Sequence, residues 1–284
     1  MPADAPRVSN LLADHPFLIE FKYTPSPVTW AGVFRYQRAL ADWALVLNVL
    51  LHGGARMIGR RTRQQWTLVP RGTEGELRSE YLQEGYSVPG LSDSLKGFSS
   101  AGSVPAMAVV PNESYYDRVG ISDQALDVPE CLPSCVIGFS KLESQIRDKF
   151  LRCAYWFYQS SAAWTNSVSV SFVCLVSAIE ALLPPVPSGV PCRSCGKGTN
   201  PGPTKRLADF LDSMVPSLAT NFPDARKKLY SVRSKLSHGE TLLRIDDVRN
   251  DFNPSSVEER QLVRQAHTIV RMAARKWLLK TIAA

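Results

Sequence analysis

The chain has 284 residues, which is more than one average domain and ample for a large buried core. With 44% hydrophobic and 21% charged residues, its composition is that of a folded globular protein and argues against wholesale disorder. The positive excess lies in the last third: residues 184–284 hold 17 Lys and Arg against 9 Asp and Glu, which suggests a polyanionic partner there.

The longest apolar stretch covers residues 168–183. It contains Ser169, Ser171, Ser177 and Glu180 and is short for a bilayer, so we expect a buried helix and no membrane segment. The N-terminus has no basic-then-apolar signal sequence. These features predict a cytoplasmic protein whose cysteines are reduced.

Residues 1–137 predict a mixed α/β region. A long helix is expected from about Ala31 to His52, because Gly53 and Gly54 follow as a stop signal. The sequence after it is rich in Gly, Pro and Ser. Its short apolar runs at 66–69 and 106–110 predict strands between turns.

Residues 138–284 predict an all-α bundle, which makes the protein α+β overall. Ser140-Lys-Leu-Glu143 resembles a capping box, and so does Ser256-Val-Glu-Glu259. The expected helices begin near Ser140, Val168, Pro203, Asp224 and Ser256. The second carries the apolar stripe Val168, Phe172, Leu175, Ile179 and Leu182. The last carries the stripe Leu262, Ala266, Ile269, Ala273 and Trp277.

The segment 230–239, Tyr-Ser-Val-Arg-Ser-Lys-Leu-Ser-His-Gly, contains the best candidates for chemistry. Arg233 is a permanent cation that suits phosphate geometry, and His238 can transfer a proton near neutral pH. On a regular helix the two side chains point about 140° apart. Because Gly239 is a natural residue after a helix end, we expect His238 at the C-cap, where the backbone leaves helical phase. Dimerisation is the other way to bring an arginine and a histidine together.

The same segment resembles the signature of HEPN domains, most closely the Apea-like branch with its pattern Y-x-x-R-S-x-x-x-H-G. Upstream, Val176-Ser-Ala-Ile-Glu-Ala-Leu-Leu183 resembles the x-x-A-x-E-x-L-x helix of that family. The resemblance covers roughly residues 140–284. It implies a helical, usually dimeric fold and a metal-independent endoribonuclease of a defence, toxin or stress-response system. The alternative is a non-catalytic module that binds RNA or a partner protein.

Carried onto this chain, the resemblance implies that Arg233 and His238 are the catalytic pair and Glu180 an auxiliary acid. His238 would take the proton of a ribose 2′-hydroxyl or give one to the leaving 5′-oxygen. Arg233 would stabilise the charge on the phosphorane oxygens. Because the attack needs a 2′-hydroxyl, the substrate is RNA, and the products would end in 2′,3′-cyclic phosphate. No cofactor is needed for this catalysis. An ordinary structural ion pair is the other interpretation of Glu180.

Further residues are candidates for RNA contact. On the fourth helix they are Tyr230, Arg226 and Lys235. The last helix carries a basic row that could follow a phosphate backbone, although a solvated face is the alternative. The members of this row are Arg260, Arg264, His267, Arg271 and Arg275, of which Arg264 and Arg271 are the predicted contacts.

Two cysteine pairs have a spacing typical of metal ligands. Cys192-Arg-Ser-Cys195 is half of a zinc ribbon, and Cys131 with Cys135 could supply the other half of a structural zinc site. Free thiols are the alternative. Residues 1–137 match no known pattern, and a role in sensing a trigger or regulator is one hypothesis for them.

Overall fold

A computed structural model describes the protein in twelve segments. They are residues 24, 26–51, 64–71, 76–83, 107–117, 126–164, 166–185, 190–191, 198–199, 201–216, 222–246 and 254–283. Most of the described residues are helical. The chain divides into two compact units. Unit 1 comprises Met1–Ala44 with Ala55–Val128, and unit 2 comprises Leu45–Gly54 with Pro129–Ala284.

Unit 1 contains the described strands that the sequence predicts. Its elements are α1 (Thr29–Leu50, of which the part after Ala44 belongs to unit 2), β1 (Gln64–Arg71), β2 (Glu76–Gln83), β3 (Met107–Val110), α2 (Asn112–Asp117) and the start of β4 (Leu126–Pro129). β1 and β2 are antiparallel, and β3 pairs with β4. The runs predicted as strands at 66–69 and 106–110 lie in β1 and β3.

Unit 2 is a bundle of helices with one short pair of strands among its described residues. Its elements are α3 (Leu132–Lys141), α4 (Ser144–Ala163), α5 (Val168–Leu182), β5 (Val190–Pro191), β6 (Gly198–Thr199), α6 (Pro203–Met214), α7 (Pro223–Ser237), a 3-10 turn (Arg244–Asp246) and α8 (Pro254–Ala283). Helix α3 crosses the predicted boundary between residues 137 and 138.

The capping box predicted at Ser140 is wrong. Ser140 lies inside α3, where its hydroxyl donates to the Ile137 carbonyl at 2.7 Å. Helix α4 begins only at Ser144, after Glu143, whose side chain makes no capping hydrogen bond. The pattern misleads because α3 includes Ser140 and ends at Lys141, before Leu142, where the backbone becomes extended.

Helix α5 is the buried centre of unit 2. The predicted stripe is confirmed, since Phe172, Leu175, Ile179 and Leu182 are at most 1% exposed. Helices α4, α7 and α8 pack against α5, which explains why a helix apolar on most sides is stable here. None of the described helices is long and apolar enough to cross a membrane.

The N-terminal end of α5 is bound by a carboxylate from far along the chain. Asp246 accepts hydrogen bonds from the Ser167 hydroxyl at 2.7 Å and from the backbone N–H groups of Val168 and Ser169 at 2.8 Å. Two N–H groups of the first turn thus gain partners that the helix cannot supply. Burial alone would raise the pKa of Asp246, but the hydrogen bonds from Ser169, Ser167 and Val168 bring it below its ordinary value.

The C-terminal end of α5 is bound by cations from two other helices. Lys149 of α4 donates to the Leu183 carbonyl at 2.8 Å, and Arg206 of α6 donates to the Pro184 carbonyl at 2.6 Å. Positive charge is favourable at this end because the helix dipole is negative there. Both ends of the central helix are therefore held by side chains that are distant in sequence.

Helix α4 covers His267 and Arg271 in the basic row on α8. Phe157 lies 4.5 Å from the His267 ring and 5.4 Å from the guanidinium carbon of Arg271, and Arg275 is only 8% exposed. Arg260 and Arg264 are exposed. The prediction of one exposed row is therefore wrong from His267 onward, because helical periodicity does not reveal which neighbour crosses the row.

His267 should make stability depend on pH. Burial and the nearby charge of Arg271 lower the pKa of His267 from 6.5 to about 4. The unfolded chain therefore binds this proton more readily than the folded chain. The free energy of unfolding is therefore unaffected by this group above about pH 6.5, and it decreases as the pH falls from there towards about 4. Urea unfolding of wild type and His267→Gln should give a stability difference that is constant above pH 6.5 and shifts against wild type below it. If the free energies of unfolding of the two proteins changed in parallel from pH 6.5 to pH 4, the lowered pKa of His267 would be contradicted.

Candidate active site

Helix α7 carries most of the residues predicted for the site. It starts at Pro223, a residue suited to the first helical position, and buries Leu229 completely. Tyr230 and Arg233 are half-buried, whereas Lys235 and His238 are exposed. The side chain of Arg226 lies outside the described residues.

Arg233 is bound to Glu180 of α5. Its Nη2 donates to the Glu180 Oε2 at 2.9 Å, and each side chain keeps about a quarter of its surface exposed (26% and 27%). The contact joins residues 53 positions apart. The Nε of Arg233 is buried and has no hydrogen-bond partner among the described residues. The arginine is thus fixed in place while one of its N–H donors stays unused.

Helix α7 ends in a Schellman motif around Gly239. The N–H of Glu240 donates to the Lys235 carbonyl at 2.9 Å, and the N–H of Gly239 donates to the Leu236 carbonyl at 3.2 Å. Gly239 has a φ of 72°, in the left-handed region that glycine adopts without strain. The sequence therefore predicted both the stop signal and the C-cap position of His238.

The backbone leaves helical phase one residue later than expected. His238 has φ −87° and ψ −1°, and its N–H donates to the Ser234 carbonyl at 3.0 Å. The turn occurs at Gly239, whose φ is positive. Arg233 and His238 therefore still leave the helix about 140° apart. One α7 helix does not direct both side chains at the same point.

A cleft lies between the start of α5, the 3-10 turn and the start of α8. Its volume is about 320 Å³, and its lining includes Trp164, Asn166, Asp246 and Arg260. An aromatic ring, an amide and an exposed guanidinium are groups that bind nucleotides through stacking, base edges and phosphate. Sequence reasoning missed Trp164 and Asp246, since neither lies in a motif.

The cysteine pairs give no metal centre among the described residues. No group of three or more His, Cys, Asp or Glu side chains is arranged there to hold a metal ion. Cys131 and Cys135 lie at the start of α3, and burial beside Cys131 raises the pKa of the Cys135 thiol. Cys192 and Cys195 lie outside the described residues, so the structural zinc remains a prediction.

Comparisons with family models, curated proteins and solved structures find no match to this chain. The resemblance to HEPN domains therefore depends on the two sequence motifs. The structure adds that the motifs are in contact, because Glu180 belongs to one of them and Arg233 to the other.

Replacing Gly239 tests the geometry of the helix end. A Cβ at Gly239 would meet no atom within 4 Å, so Gly239→Ala introduces backbone strain without a clash. We expect the free energy of unfolding to fall by about 1 kcal/mol, because alanine is strained at positive φ. The free energy of unfolding of Gly239→Asn should fall less, since asparagine tolerates a positive φ better than alanine does. Urea denaturation measures the free energy of unfolding of both variants. If Gly239→Ala were as stable as wild type, alanine would not be strained at this position.

Proposed function

We propose that this protein is a metal-independent endoribonuclease of HEPN type that acts in a defence, toxin or stress-response setting. One observation carries the proposal: Glu180 binds Arg233 at 2.9 Å while 26% of the Arg233 side chain stays exposed, five residues before an exposed histidine. A guanidinium that is fixed and partly exposed suits a phosphate oxygen. An accessible histidine suits proton transfer.

The proposed reaction is an attack of the ribose 2′-oxygen on the adjacent phosphorus. His238 takes the proton of the 2′-hydroxyl as the new P–O bond forms. The bond from phosphorus to the 5′-oxygen breaks, and that oxygen takes up the proton that His238 accepted. Arg233 stabilises the negative charge on the phosphorane. The products carry a 2′,3′-cyclic phosphate and a free 5′-hydroxyl.

We propose that the active site is shared between two subunits of a homodimer. Arg233 and His238 diverge by about 140° on one helix, so a phosphate on Arg233 is not directed at His238 of the same α7. Two-fold symmetry would bring Arg233 of one subunit to His238 of the other. The exposure of His238 at the end of α7 supports this arrangement, because the side chain is free to face a second chain.

Removal of either residue should abolish cleavage. Wild type incubated with mixed RNA in EDTA should produce fragments, whereas His238→Ala and Arg233→Ala should be slower by roughly 100-fold or more. Arg206→Ala is the matched control, because this arginine binds a backbone carbonyl and should keep near wild-type activity. Equal cleavage by all four proteins, or cleavage that needs added divalent metal, would overturn the mechanism. Tight RNA binding without cleavage would favour the non-catalytic alternative.

Mixing the two inactive variants tests the shared site. A heterodimer of His238→Ala and Arg233→Ala contains one intact site if each site uses both subunits. About a quarter of wild-type activity should then return after subunit exchange, since about half of the dimers are mixed and each has one of two sites. No recovery despite measured exchange would indicate that both residues act within one chain.

We also propose that RNA phosphates contact Arg260 and Arg264. Both are exposed, and they lie at the start of α8, where Glu259 accepts from the Ile245 N–H at 3.2 Å. Arg260 also lines the cleft. This end of α8 is therefore next to the 3-10 turn at Ile245 and Asp246. Arg271, which was predicted as a contact, is half-buried against Phe157 and is not part of this surface.

Charge reversal on α8 has a matched control within the same helix. Arg260→Glu/Arg264→Glu should weaken the binding of a labelled single-stranded RNA to the His238→Ala protein. The slope of the logarithm of the binding constant against the logarithm of the salt concentration should become shallower by about one for each lost contact. Lys276→Glu/Lys280→Glu has the same spacing and charge change on exposed positions further along α8. Equal losses in both pairs would indicate an effect of net charge alone. Unchanged binding in the first pair would contradict the contact.

A further inference from the structure

The backbone that carries His238 is attached to α5 on both sides of the histidine. Five residues before it, Arg233 binds Glu180 near the C-terminal end of α5. Five residues after it, the Leu243 N–H donates to the Ser169 hydroxyl at 2.9 Å, near the N-terminal end of α5. Leu243 and Ser169 are 5% and 3% exposed, so water competes little for this hydrogen bond.

After His238, the chain contacts the start of α5 first through Leu243 and then through Asp246. Its carboxylate accepts three hydrogen bonds of 2.7–2.8 Å from residues 167–169, and Glu259 of α8 holds the neighbouring Ile245 N–H. Hydrogen bonds to a carboxylate are stronger than those between neutral groups. Asp246 is therefore the main polar anchor described for the segment between Gly239 and the 3-10 turn.

The segment between the two attachments has few constraints of its own. His238, Gly239, Glu240, Thr241 and Leu242 are all exposed. The Schellman hydrogen bonds fix where α7 ends, but they do not fix how the following chain returns to α5. If residues 243–246 were released, Gly239 could sample other conformations, and the backbone that follows His238 would no longer be held against α5.

We propose that Asp246 is a positioning residue for His238. It does not touch the RNA in this role. It binds the N-terminus of α5 and so fixes the segment that follows the histidine. The inference depends on the proposed nuclease for its catalytic meaning, whereas the effect on His238 itself can be observed without any reaction.

The test compares loss of this anchor with loss of a contact at the other end of α5. Asp246→Ala removes the carboxylate, and Arg206→Ala removes the 2.6 Å hydrogen bond to Pro184. The ring resonances of the four histidines are followed by NMR in proteins with labelled histidine, and His238→Ala identifies the signal of interest. We expect the His238 signal to broaden, split or shift in Asp246→Ala and to stay unchanged in Arg206→Ala.

Kinetics distinguish positioning from direct contact with RNA. Asp246→Ala should lower kcat at least tenfold with KM changed less than twofold, because the substrate still binds while the base is misplaced. Asp246→Asn keeps one acceptor oxygen and should give an intermediate kcat. A rise in KM with kcat unchanged would mean that Asp246 binds RNA, which overturns the positioning role.

Two further outcomes are decided by separate measurements. If Asp246→Ala does not fold, Ser169→Ala removes the acceptor of the Leu243 N–H and the hydrogen bond from the Ser169 side chain to Asp246, keeps the Asp246 carboxylate, and should still disturb the His238 signal. If wild type cleaves no RNA, the nuclease proposal fails and the NMR comparison alone decides the inference. An unchanged His238 signal in folded Asp246→Ala, or equal changes in Arg206→Ala, would overturn it.

Discussion

The arrangement of unit 2 depends on how the two ends of one buried helix obtain hydrogen bonds. Helix α5 lies in the core, and its first N–H and last carbonyl groups have no partners within the helix. Asp246 supplies acceptors at one end, and Lys149 and Arg206 supply donors at the other. Each of these side chains comes from a different element, so satisfying α5 also fixes the 3-10 turn, α4 and α6 around it.

The same helix determines what the candidate site can do. Helix α7 contacts α5 through Arg233 and Glu180, and the chain after α7 returns to α5 through Leu243. His238 lies between these attachments and faces solvent. The site thus combines a fixed backbone with an accessible side chain, which is the combination that proton transfer to a large substrate requires. The angle between Arg233 and His238 makes a second subunit part of the proposal.

The arginines of α8 lie in two different environments, one packed and one exposed. Arg271 lies against Phe157 and Arg275 is nearly buried, so these cations contribute to packing through their stems and through contact with an aromatic face. Arg260 and Arg264 are exposed and are available to a polyanion. Part of the positive charge of α8 is therefore used in packing and is not exposed to solvent.

The sequence by itself determined the features that depend on neighbouring residues. The apolar stripe of α5, the start of α6 at Pro203 and the stop at Gly239 follow from periodicity and backbone preference, and the structure contains all three. Its two motifs also contain Glu180 and Arg233, which are in contact in the structure. Tertiary structure alone decided that Asp246 binds the start of α5, 79 positions from Ser167, and that α4 covers His267 and Arg271 in the basic row. Such contacts have no local pattern, because they are set by which helices pack together and not by the residues beside them.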